Sequence, residues 1–161
     1  MLWGLALSTR ALGRRPRPAW LLDLHRFLGG SALVFTAIHV LAILADSYVH
    51  FGLADALVPL ASRWHPVAVA WGIVGLYLFV AVEVTSLLRA QLPRRVWRRT
   101  HLLSFPLFVL TTVHALFAGT DSHAPSLVLS LLVAAAAVAG LSAVRLDPTL
   151  LGEPEQRSNV A

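Results

Sequence analysis

The chain has 161 residues, 57% of them hydrophobic and 13% charged, with a net charge of +5. It contains no cysteine, which excludes iron–sulfur clusters, thiolate ligation, disulfides and covalent haem attachment. All thirteen basic residues are arginines gathered in flanks and connections, so the charge reads as membrane topology and not as a nucleic-acid surface.

In chain order, residues 1–18 read as a basic N-terminal tail. "MLWGLALS" is too short to span a bilayer, and "TRALGRRPRPAW" follows it in place of a small-residue cleavage site. Four apolar segments come next, roughly at 20–45, 66–88, 100–118 and 124–144. A helix needs about 20 residues to cross the hydrocarbon core. The third segment is short but strongly apolar after His101. Residues 19–145 are therefore expected to form an all-α, integral membrane four-helix bundle, and residues 146–161 a polar tail.

Arginine placement gives the expected orientation. Arg10, Arg14, Arg15, Arg17 and Arg26 lie at the start, Arg89, Arg94, Arg95, Arg98 and Arg99 around the second connection, and Arg145 and Arg157 at the end. The other two connections share only Arg63. The positive-inside rule then puts both termini in the cytoplasm, as an even number of spans requires. Trp20 and Trp97 fit an inner aromatic belt, and Tyr48, Phe51 and Trp64 an outer one.

Four intramembrane histidines carry the chemistry. His25 and His39 lie on the first helix, 14 residues apart, and His101 and His114 on the third, 13 apart. Fourteen residues rise roughly 21 Å and come within about 40° of four full turns, so His25 and His39 share a face. Helices one and three run in the same direction. His25 thus matches His101 in depth near the cytoplasm, and His39 matches His114 nearer the outside. Two opposed imidazoles at each level suit a six-coordinate haem, and two stacked haems make an electron route through an insulating slab. Thirteen ideal residues rotate about 220° past three turns, so His101 and His114 need an irregularity, which Pro106 makes possible. The competing reading is interhelical hydrogen bonding, which suits one histidine better than four matched in depth.

Several other residues are candidates around these levels. Gly29, Gly30 and Ala118 offer room for a porphyrin face, or serve ordinary helix packing. Thr36 and Thr111, three residues before the outer histidines, either orient a ligand or bond their own helix backbone. Glu83, inside the second helix, could pair with Arg26, bond a haem ligand or carry a proton; a buried salt bridge competes. Arg26, Arg98 and Arg99 suit haem propionates, against a role as plain topology determinants. Asp46, His50, Asp55, His65, Asp121 and His123 could shape an outer metal or acceptor site, although their spacings match no metal motif and favour solvated loops. Phe35, Tyr77, Phe105 and Phe108 line the space between haems or simply pack the core.

"LDLHRFLGG…TAIHV" together with "WRRTHLLSFPLFVLTTVHALFAGTDS" resembles the ferric reductase-like transmembrane domain over roughly residues 20–121. That superfamily includes the membrane core of the NADPH oxidases and the haem-binding subunit of a bacterial methionine sulfoxide reductase system. The W-R-R-x-H run up to His101 and the H-x-x-x-x-G-T-D run from His114 are the most specific parts and resemble bacterial members. The resemblance implies two haem b groups, one held by His25 with His101 and one by His39 with His114. It also implies transmembrane electron transfer, in a bacterial inner membrane, towards an outer acceptor such as ferric ion or a periplasmic protein. The larger members have six helices where four are counted here, and many carry flavin and nicotinamide domains that no segment here could form. Electrons are then expected from a separate flavoprotein or the quinone pool.

The expectation is a di-haem b-type cytochrome embedded in lipid, an oxidoreductase component without its own flavin. A haem-bearing anchor that passes quinol electrons to a periplasmic reductase is the first alternative. A histidine-lined metal or proton transporter without haem is the second, and a purely structural subunit the third.

Overall fold

The computed structural model describes residues 1, 4–5, 18–47, 50–119 and 124–147. Most of the two expected tails lies outside the described residues, as do Tyr48, Asp121 and His123. Among the described residues the helices with full bounds are, in order, α1 (Pro18–Ala45), α2 (Leu53–Leu57), α3 (Pro66–Leu87), α4 (Arg94–Leu102), α5 (Ser104–Ala118) and α6 (Pro125–Leu146). There is no strand among the described residues.

Four stretches are long and apolar enough to cross a membrane: Ala19–Ala45, Pro66–Leu87, Arg94–Ala118 and Pro125–Leu146. Three agree with the expected segments to within the usual fraying of helix ends. The third begins six residues earlier than the expected start at 100. Its first turns are the arginine-rich run after Pro93, which hydropathy alone reads as a connection. Arginine is a good helix former, and its long stem lets the charged head reach water from a helix end.

That third span is broken at Leu103. The Leu103 N–H bonds the Thr100 carbonyl at 3.0 Å, a tightened i to i−3 turn, and the ladder resumes where Leu107 N–H bonds the Leu103 carbonyl, also at 3.0 Å. Pro106 causes the break. It has no N–H to give the Leu102 carbonyl, and its ring would clash there. The other spans start on prolines that cost nothing: Pro66 and Pro125 are first-turn residues, where the amide would be unbonded in any case.

The described residues fall into two compact units: those up to His25 with those from Leu132 on, and Arg26–Leu131. In the first unit Leu5, Leu21 and Val138 are buried. In the second, α3 packs chiefly along α5, and α4 and the short α2 also lie against it. Ala68, Val69, Ile73, Gly75 and Val82 give α3 its buried face. The α1 helix from Arg26 has no buried side chain, and Phe27, Val34, Phe35 and Leu41 are each more than half exposed. Such a surface would aggregate in water, but lipid tails solvate it.

Candidate functional site

Both histidines of the third span are seated on one face of α3. The His114 Nδ1 lies 2.9 Å from the Ala68 carbonyl oxygen. A carbonyl can only accept, so Nδ1 carries the proton and the Nε2 lone pair is left free. The His101 Nδ1 lies 3.4 Å from the Ser86 hydroxyl. Ala68 and Ser86 are 18 residues apart, five full turns of an α-helix, so one face of α3 holds both rings. The tightened turn at Leu103 therefore supplies the realignment that thirteen ideal residues lack.

Glycine makes the seat for His114. A Cβ at position 72 would stand 2.5 Å from the His114 Nδ1, 2.6 Å from its Cε1 and 2.9 Å from its Cγ. No side chain fits there while the ring stays. One turn further along, a Cβ at Gly75 would meet the Thr111 methyl at 3.2 Å, so α3 and α5 also approach closely at that level.

His39 faces His114 from α1. Their ring centroids are 6.3 Å apart, with planes at 82°. Two metal–imidazole bonds of about 2 Å, plus about 1 Å from each nitrogen to its ring centre, put the centroids of a bis-histidine site roughly 6 Å apart. The pair is thus separated as two axial ligands of one metal ion would be. His114 also has the outer hydrogen bond that fixes a ligating imidazole's tautomer and direction.

At the other level, His101 stacks on Trp97, with centroids 5.2 Å apart and planes at 25°. The Arg89 guanidinium lies over that indole, 4.7 Å from the ring centre. The Trp97 Nε1 is buried with no hydrogen-bond acceptor among the described residues. A buried unpaired donor is uncommon. His25 belongs to the other unit, where a Cβ on Gly4 would be in ordinary contact, 3.6 Å from its Cε1.

Some expected roles change. Gly29 does not open onto empty space, because a Cβ there would lie 2.9 Å from the Glu83 carboxylate oxygen. Glu83 fills the room that glycine leaves, whereas nothing lies within 4 Å of a Cβ at Gly30. Glu83 has no hydrogen bond or ion pair among the described residues, so pairing with Arg26, one of the roles open to it, is not made. Arg26 and Arg98 are both exposed. Thr111 donates to its own backbone at Leu107 and Phe108, 2.9 and 3.2 Å away, and so does not orient His114. Tyr77 does not line a space between the two levels; its hydroxyl donates to the Leu57 carbonyl and ties α3 to α2. No group of three His, Asp or Glu side chains among the described residues could hold a metal ion.

Sequence reading missed the α3 seats altogether. Ala68, Gly72, Gly75 and Ser86 recur at helical spacing on one face, and that stripe of small residues is the signal that points to them.

A family model described as "Ferric reductase like transmembrane component" matches residues 1–112. The chain belongs to the ferric reductase-like transmembrane family. The match takes in His25, His39 and His101 and ends two residues before His114. No curated protein and no solved structure matches the chain. Family membership and four spanning helices together make this a multi-pass membrane protein of the ferric reductase-like class.

Proposed function

We propose that the chain is a di-haem b-type cytochrome that carries electrons across the bacterial inner membrane. His39 and His114 would hold one haem, and His25 and His101 the other. The single observation that carries this reading is the His39–His114 pair, with centroids 6.3 Å apart and the His114 Nδ1 already bonded to Ala68. Bound haem supplies a one-electron iron couple, which no side chain of this chain can offer.

The residues prepare each level differently. Gly72 and Ala68 fix the plane of His114 and keep its Nε2 aimed away from α3. Ser86 and Trp97 hold His101 by a hydroxyl contact and a ring stack. The unpaired Trp97 N–H is a donor suited to a haem carboxylate, and exposed Arg98 and Arg26 are cations suited to the same group. Both termini would face the cytoplasm, on the arginine-rich side. A flavoprotein or quinol would deliver electrons there, and an acceptor on the arginine-poor side would take them.

The test is haem per polypeptide in the purified chain, with its dithionite-reduced minus oxidised spectrum. Two b-type haems are expected. His39→Ala should lose one and keep the other, whereas no haem in a folded, haem-supplied sample would overturn the reading.

A further inference from the structure

The connection between α1 and α3 borders an open cleft of about 390 Å³ lined by His50, Phe51, Asp55, Ser62, Arg63 and Trp64. We infer that this cleft is a docking site for a planar electron acceptor bearing a carboxylate, held by Arg63 and stacked beside Trp64 and Phe51.

The site is built and held firmly. Leu60 and His65 are the two non-glycine residues with left-handed backbone among the described residues, at φ 69° and 39°. They bracket the segment that forms the cleft wall. Such conformations persist only where the surroundings enforce them. Ser62 enforces this one: it is buried, its hydroxyl donates to the Trp64 carbonyl at 3.0 Å, and it accepts from the Trp64 N–H at 3.1 Å. On the far side, Tyr77 ties α2 to α3.

The position points at electron exit. The Trp64 Nε1 donates to the Ala118 carbonyl at 3.3 Å. Ala118 lies one turn past His114, and Ala68, which holds the His114 ring, lies one turn past Trp64. The indole thus spans α3 and α5 one turn, about 5 Å, beyond the His39–His114 pair.

Arg63 is the group in this lining that would hold an anion. Arg63 is the sole arginine between Arg26 and Arg89, on the side of the membrane that is otherwise free of them. It has no ion pair among the described residues. Asp55 keeps its charge in the same wall, but the Gly52 N–H at 2.8 Å holds one of its carboxylate oxygens towards its own turn. The exposed Arg63 guanidinium, with no ion pair among the described residues, has the fork that matches a carboxylate, and Trp64 and Phe51 in the lining suit a flat apolar body. The acceptor would take electrons one at a time from the His39–His114 level, with no bond made or broken. That last step rests on the proposed haem function; the binding does not.

The experiment uses the full chain in detergent and two probes, 2-naphthoate and its neutral isostere naphthalene-2-carboxamide, in equilibrium binding. The intact chain should prefer the naphthoate, and Arg63→Gln should weaken it on the order of tenfold while the carboxamide changes little. Haem content of the same samples is recorded and should be unaltered by the substitution. Reoxidation of the reduced chain by 1,4-naphthoquinone-2-carboxylate, relative to plain 1,4-naphthoquinone, should also fall about tenfold in Arg63→Gln. Equal binding of the two naphthalene probes, or naphthoate binding untouched in Arg63→Gln, overturns the proposal. Absence of haem with the binding pattern intact overturns the electron-transfer function and leaves the site standing.

Discussion

Gly72→Ala adds one methyl group at the most sensitive point of the proposed outer site. The new Cβ would stand 2.5 Å from the His114 Nδ1. Non-bonded atoms prefer about 3.5–4 Å, so the ring must retreat by roughly 1 Å. That lengthens the 2.9 Å bond from Nδ1 to the Ala68 carbonyl past the range of a hydrogen bond. Overpacking costs about 1–3 kcal/mol and the lost bond about 1 kcal/mol or more. The better helix propensity of alanine offsets only about 1 kcal/mol. Loss of an outer hydrogen-bond partner lowers metal affinity about 10–100-fold in comparable sites. Haem titration of the purified variant should show one tight site and one weakened by that factor. Gly140→Ala, on α6, is the matched control, because nothing lies within 4 Å of its Cβ, and it should keep both sites. A Gly72→Ala chain with two sites of unaltered affinity would refute the argument that the α3 seat sets the His114 ligand.

Pro106→Ala restores an N–H that can bond the Leu102 carbonyl and lets the third span run through Leu103 as one helix. His101 and His114 would then diverge around the axis, and haem stoichiometry should fall below two; an unchanged stoichiometry would show that the Leu103 turn is not needed. Trp97→Phe keeps the stack on His101 but removes the unpaired N–H. It should loosen the His101-level haem by up to about tenfold in titration, while Trp97→Ala, which loses the stack as well, should do more. Gly29→Ala drives a Cβ against the Glu83 carboxylate, whereas Gly29→Ala combined with Glu83→Ala removes the clash. Thermal unfolding of the single and double variants should therefore show coupling of about 1 kcal/mol, and strict additivity would mean that the two do not touch.

The four spans were legible because each is a property of its own segment: an apolar run of sufficient length between polar connections. The start of the third was not, because its first turns are arginines. There, helix propensity and the snorkelling of long side chains outweigh the hydropathy that marks a boundary. Pro106 announced an irregularity but not its place. The break falls at Leu103, where the clashing carbonyl of Leu102 and the tightened bond to Thr100 put it.

The histidines stand out for the same reason that their seats do not. An imidazole in an apolar run carries chemistry on its face, and its spacing along one helix can be counted. Gly72 carries none until a neighbour is known to fill the space it leaves, and Ala68 contributes only a backbone oxygen that every residue possesses. Their function belongs to the approach of α3 to α5, which no single segment encodes. Once that approach is given, the small stripe of Ala68, Gly72, Gly75 and Ser86 acquires a definite job. It brings the span carrying His101 and His114 close to a helix that carries no histidine, and sets both rings from the same face. An α3 with bulky residues along that stripe would keep its hydropathy and its span. It would lose the alignment of His101 with His114, the geometric requirement that thirteen-residue spacing cannot meet by itself.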